Sequence, residues 1–236
     1  ALGRPRALLT AGLLTVSSIV LTASRSADGT VLAVLFLLLT AVAAWRLASG
    51  RGGAGWAVIA GGAFGASLAS GPEAFLGLIA LAFAVPLLPG AWDALMSAVV
   101  ERGRLIAIAA LAGLVVMATF LLLNRDGLGA AAASLVSFAQ RFTPGSGGRS
   151  LTALIVLAVI YDPLIVVAGV LSLASAFARE PVDRLAASGV MVIIALIVAS
   201  GGRSQFDLVW LTVFLAPLAA HSLWRVLAEF DWRHEW

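Results

Sequence analysis

NRDGLGAAAASLVSFAQRFTPGSGGRSLTALIVLAVIYDP, residues 124–163, is the stretch in which this chain stops reading as one apolar span after another. It opens on Asn124-Arg125-Asp126-Gly127 and continues through a weakly amphipathic run from Leu128 to Phe142. A Thr143-Pro144-Gly145-Ser146-Gly147-Gly148 linker follows, and the stretch closes on Tyr161-Asp162-Pro163 inside the next apolar run. Any working surface is expected here.

The flanks set the class. Of 236 residues, 61% are hydrophobic and only 11% charged, whereas a soluble domain carries about 25% charged residues. The mean hydropathy is +1.06. This composition predicts an integral membrane protein, all-α, built as one polytopic helical bundle over residues 1–236. Barrel strands of about 10 residues are much shorter than these apolar runs. Runs able to cross a hydrocarbon core of about 30 Å lie at 7–23, 29–48, 55–71, 74–91, 104–123, 150–178, 185–200 and 206–228. They predict eight spans, with the 124–149 segment left outside the bilayer as an amphipathic or re-entrant element.

All 15 basic residues are Arg, and they stand singly or in pairs between apolar runs. The high pI therefore reports topology, and no nucleic-acid partner is expected. Alternating the loops places Arg4, Arg6, Arg46, Arg51, Arg102, Arg104, Arg179, Arg184, Arg225 and Arg233 on one side and Arg25, Arg125, Arg141, Arg149 and Arg203 on the other. By the positive-inside rule the first set is cytoplasmic. Both termini are then expected in the cytoplasm of a bacterial or archaeal cell, with 124–149 outside the inner membrane. Trp224, Trp232 and Trp236 with Arg225 and Arg233 read as an interfacial belt.

Cysteine is absent, which excludes disulfides, thiolate metal sites and a Cys nucleophile. No HExxH, Walker, GxSxG or CxxC arrangement occurs. Gly61-Gly62 and Gly65 fall inside a span, where they read as packing glycines. Partners are thus membrane lipids and other membrane subunits.

Six charged residues are candidates for a substrate site. Asp162 lies deep in an apolar run, where an ionisable group is costly and reads as functional by default. Its alternative role is the N-cap of a helix beginning at Pro163, after an interfacial or re-entrant 151–160 segment. Arg25 and Asp28 flank the first outer turn and suit a phosphate or a sugar hydroxyl; a plain charged turn fits them equally. Glu73 follows Gly71-Pro72, and Arg203 with Asp207 flanks the last outer loop, where the planar Arg203 fork suits a phosphate. His221, inside the last span, is an axial ligand if the chain holds a haem or chlorin, and otherwise a hydrogen-bonded packing residue. No metal site is expected from spacing alone.

The order of these features resembles the multi-span GT-C glycosyltransferases. The resemblance is carried by Ser24-Arg25, the span ending in Trp45-Arg46, Trp56 and Leu68-Ala69-Ser70, then Asn124-Arg125-Asp126-Gly127-Leu128-Gly129, Tyr161-Asp162-Pro163-Leu164, and Trp210 before Pro217-Leu218-Ala219. It covers most of residues 12–228 and lies nearest the flippase activity-associated and protein mannosyltransferase-like branch, related to the aminoarabinose transferases of lipid A. The resemblance implies a polyprenyl-phosphate sugar donor on the extracytoplasmic face. Under it Arg25 and Arg203 contact phosphate, while Asp28, Glu73 and Asp162 contact sugar hydroxyls or a divalent cation.

The departures fall on the chemistry. The family's acidic loop between its first two spans has no counterpart, so the chain is expected to begin after that point or to be catalytically degenerate. The family's second carboxylate position falls on Thr30, with Asp28 two residues early, and its Lys-Glu pair falls on Gly71 and Pro72, with Glu73 one residue late. Its Lys-Pro-Trp approach is reduced to Asp207-Leu208-Val209-Trp210. The alternative expectation is a non-catalytic subunit of a larger respiratory or photosynthetic membrane complex. A transporter ranks third, for lack of an inverted repeat.

Overall fold

The computed structural model describes residues 3–26, 29–87, 90–120, 123–124, 126–143 and 147–229. Among them there is no strand, and eleven α-helices follow one another: α1 Arg4–Val16, α2 Ser18–Arg25, α3 Thr30–Ala48, α4 Ala54–Ala69, α5 Ala74–Ala84, α6 Ala91–Ala118, α7 Gly127–Gln140, α8 Leu151–Tyr161, α9 Pro163–Ala176, α10 Pro181–Ala199 and α11 Asp207–Glu229. The all-helical expectation is met.

The central helix is α11. From Leu208 to Ala220 nearly every side chain is buried, whichever way it points, because α1, α5, α9 and α10 surround it. Small residues admit these neighbours. Gly77 of α5 faces the ring of Trp210, Gly169 of α9 faces Leu215, and Gly189 of α10 faces the ring of Phe214. A second group forms from α3, α4 and α6, with α4 and the latter part of α6 side by side and running in the same direction.

The outward surface is apolar. Leu35, Ile108, Leu111, Ile160, Leu164 and Leu171 are all more than half exposed, a pattern that water would penalise and hydrocarbon accommodates. Three helices, α3, α10 and α11, are long and apolar enough to cross a membrane, and five spans result if each bent pair, α1 with α2 and α8 with α9, is one span. The chain is a membrane protein on this evidence.

The expected eight is therefore not what the helices alone support. The runs 55–71, 74–91 and 104–123 fall on α4, α5 and the second half of α6. The first two have 16 and 11 residues, and at about 1.5 Å per residue α5 reaches only about 16 Å. Pro86 explains the early end of α5, since it has no N–H to continue the helical hydrogen-bond ladder and sits in a 3-10 turn, Val85–Leu87. The third belongs to a 28-residue helix that begins at Ala91 and carries Asp93, Glu101, Arg102 and Arg104 along its first half.

Both bent pairs break at a polar residue. Ser17 separates α1 from α2 at 54°, and Asp162 separates α8 from α9 at 108°. The second angle means that the expected 150–178 span is two helices, with α8 running across the direction of α9. Pro163 is the cause, since the residue before proline is kept out of helical backbone and Asp162 has φ −132 and ψ 55.

The ends of the bundle are chemically distinct. One gathers Arg6, His221, Glu180 and Asp183, together with Gly52 bound to Arg102. The other gathers the starts of α3, α5 and α11 with α7 and the segment between α10 and α11. They are called below the arginine-rich end and the Arg141 end.

Candidate functional site

The Arg141 end is built around the last residue of the α7 region. α7 stops just before Arg141, and a helix C-terminus leaves carbonyls without intrahelical partners. The Arg141 carbonyl accepts hydrogen bonds from the Gly201 N–H at 2.8 Å, the Gly202 N–H at 2.9 Å and Ser200 Oγ at 3.2 Å. Gly202 is needed for this approach, because a Cβ there would come within 3.1 Å of the Arg141 Cα.

The Arg141 guanidinium completes the tie. Its Nη2 lies 2.5 and 2.6 Å from the two carboxylate oxygens of Asp207, its Nε donates to the Gly202 carbonyl at 3.1 Å, and its Nη1 lies 3.8 Å from Glu73 Oε1. The side chains of Arg141, Asp207 and Glu73 retain 11%, 1% and 14% of their exposure, so little water screens the pairing. Asp207 is also preorganised locally. Its Oδ2 accepts the Ser204 N–H at 2.9 Å, the reach-back half of a capping box at the start of α11.

The linker after α7 is stitched to the same loop. Gly148 N–H donates to Gly201 O, Arg149 N–H to Arg203 O, and the Arg149 guanidinium to Gln205 Oε1. Phe138 of α7 packs between Phe75, tilted by 38°, and Phe142, edge to face, each ring centroid 5.3 Å away. Beside this fastening an open groove of about 460 Å³ runs between α7 and the α4–α5 turn, lined by Ser70, Gly71, Asn124, Ser134 and Ser137 among small residues.

The six expected site residues are distributed as follows. Glu73 and Asp207 meet at Arg141. Arg203 lies on the same loop, and its Nε and Nη2 donate to the Ile197 and Val198 carbonyls at the end of α10, a C-terminal cap. Arg25 is exposed in the last turn of α2. Asp28 lies outside the described residues, as do Arg125, Trp232, Arg233, His234 and Trp236.

Asp162 sits apart, at the junction of the two broken pairs. It is 5% exposed, and its carboxylate accepts from Ser17 Oγ at 2.5 Å and from the Ser18 N–H at 2.8 Å. Asp162 makes no side-chain cap to the helix that follows it. It caps α2 of the other pair instead, where an anion meets the unpaired N–H groups and positive end of a helix. Ser17 Oγ in turn accepts from the Val20 N–H.

His221 faces neither Asp162 nor Arg141. Its Nδ1 lies between Arg6 and Asp183 at the arginine-rich end. Among the described residues no three His, Asp or Glu side chains converge as metal ligands.

Sequence reading passed over Arg141, because it stood as one of five loop arginines. The one signal available was Ser204-Gln205-Phe206-Asp207, a helix-start pattern marking Asp207 as a fixed acceptor in need of a cation. Comparison with family models, characterised proteins and solved structures gives no match.

Proposed function

We propose that this chain is a polytopic membrane protein of the lipid-linked-sugar glycosyltransferase type that holds a polyprenyl-phosphate sugar at the Arg141 end without itself completing sugar transfer. The observation that carries the reading is the groove beside α7, in which Ser70, Asn124, Ser134 and Ser137 stand among alanines and glycines at the rim of an apolar bundle. Such a lining suits a neutral polyhydroxylated headgroup whose tail remains in lipid. Exposed Arg25 is the cation assigned to the phosphate, and a divalent cation at the phosphate belongs to the same reading. In this account the chain crosses the inner membrane eight times, α4, α5 and α6 included, with both termini cytoplasmic and the Arg141 end outside.

A second reading is favoured by a different observation. Glu73 and Asp207 are engaged by Arg141, and Asp162 by Ser17 and Ser18. Carboxylates consumed by internal ties suit a non-catalytic subunit packed against other membrane proteins.

Purified protein in lipid nanodiscs, titrated with a polyprenyl-phosphate sugar, separates the two. The first reading expects saturable binding that weakens by roughly tenfold in Arg25→Ala, about 1.4 kcal/mol, and is abolished in Ser137→Trp, which fills the groove. Absence of binding, with stoichiometric partners retained in mild detergent, establishes the second.

A further inference from the structure

The arginine-rich end contains a buried acid that the proposed function does not use. Asp183, in the first turn of α10, is 0% exposed, and neither of its carboxylate oxygens receives a hydrogen bond. Nδ1 of His221 on α11 lies 3.3 Å from Asp183 Oδ2. The same nitrogen lies 3.2 Å from Nη1 of Arg6 on α1, and Arg6 Nη2 lies 3.4 Å from Glu180 Oε1.

One ring nitrogen has one position for a hydrogen. When Nδ1 is bare it accepts from Arg6, which always carries its protons. When Nδ1 bears a hydrogen it donates, and the acceptor within reach is Asp183. The two bonds exclude each other. The geometry makes the Arg6 bond to Nδ1 and leaves Asp183 without a donor among the described residues, the arrangement that a bare Nδ1 requires.

We propose that Asp183 and His221 form a proton-binding site that latches α1 to α11. With the imidazole neutral and its one hydrogen on Nε2, Arg6 bonds to Nδ1 and holds the start of α1 against α11. A proton taken from water onto Nδ1 redirects that bond to Asp183 and places a cationic ring against the Arg6 guanidinium, so α1 is released. No other bond is made or broken.

The remaining charges around the site fit this exchange. From the segment between α9 and α10, Arg179 gives Nη2 to Ser175 Oγ while its buried Nη1 has no partner among the described residues, so its charge also faces Asp183 and His221. Glu180 pairs with Arg6. On α10, Arg184 donates to the Arg179 carbonyl. On α11, Arg225 pairs with Glu229 at 3.3 Å. An indentation lined by Arg6, His221, Trp224 and Arg225 gives the ring its route to water.

Because the chain has no cysteine and only two histidines, both halves of the latch are directly readable. Spin labels on Ala7→Cys and Leu227→Cys report the α1–α11 separation by pulsed electron resonance in nanodiscs. In a His234→Gln background, 15N-histidine NMR reports the protonation of His221 alone. The separation is expected to widen in the pH interval in which His221 gains its proton. His221→Gln, whose amide oxygen accepts from Arg6 but takes no proton, stays short at every pH, and Arg6→Ala stays long. A separation that is constant while His221 titrates overturns the latch. So does a His221 that keeps one protonation state across roughly pH 5 to 8, the interval in which histidine ordinarily switches.

Discussion

Arg141→Met is expected to destabilise the protein by about 3–5 kcal/mol, the cost of leaving one member of a buried ion pair without its partner. The argument rests on burial. Asp207 keeps 1% of its side-chain exposure and Arg141 11%, so water cannot replace the guanidinium that bridges both Asp207 oxygens. The Arg141 carbonyl bonds to Gly201, Gly202 and Ser200 do not depend on its side chain, so α7 remains in place while the carboxylate beneath it loses its cation and keeps the Ser204 N–H. Thermal unfolding in nanodiscs, followed by circular dichroism, measures the loss.

A second substitution tests the cause. Arg141→Met with Asp207→Asn removes the deeper of the two charges left without the cation, Glu73 being the more exposed, and keeps an amide oxygen for the Ser204 N–H. The double variant is expected to recover most of the lost stability. If it is no better than the single one, the loss comes from packing and the electrostatic account of this end is wrong.

Gly65→Leu is expected to separate α4 from α6 and to cost more than the roughly 1–3 kcal/mol typical of an overpacked core. A side chain at Gly65 points at the Ala110 carbonyl and the Leu114 nitrogen, and one at Gly61 at the Ile106 carbonyl. These are backbone atoms of α6 that no rotamer change moves aside. In lipid, helices associate through this kind of close approach, so the contact has no hydrophobic substitute. Gly12→Leu is the control. Nothing lies within 4 Å of its added Cβ, and leucine favours helix over glycine by about 0.5–1 kcal/mol. Loss of folded Gly65→Leu with an unchanged or more stable Gly12→Leu is the expected pair of results.

Particular residues show what was legible in the sequence. The run around Asp162-Pro163 announced a break in an apolar segment, because proline restricts its predecessor and a carboxylate in lipid needs partners. The break at Ser17 carried no such sign, since Ser17-Ser18 also fits an unbroken helix; its cause is the Asp162 carboxylate 145 positions away. Gly61 and Gly65 were readable as packing glycines from composition and place alone. Arg141 was not readable as the centre of its end, because its partner Asp207 is 66 positions distant and an arginine between apolar runs looks the same whether it faces water or a buried acid. Asp183 carries no local sign of its burial either, since the His221 that faces it lies on another helix. Beside the Ser204-to-Asp207 pattern, Pro86 was a second neglected local signal, and it marks where α5 ends short of the length expected of a span.

The central claim places the groove beside α7 outside the membrane and the arginine-rich end in the cytoplasm. The absence of native cysteine makes a direct measurement available: labelling of Ser137→Cys and Ser49→Cys in intact cells with a membrane-impermeant maleimide. Both native serines are exposed, Ser137 at the groove and Ser49 just after α3. The account predicts labelling of Ser137→Cys from outside and of Ser49→Cys only after permeabilisation. Labelling of Ser49→Cys from outside, or of Ser137→Cys only after permeabilisation, contradicts it.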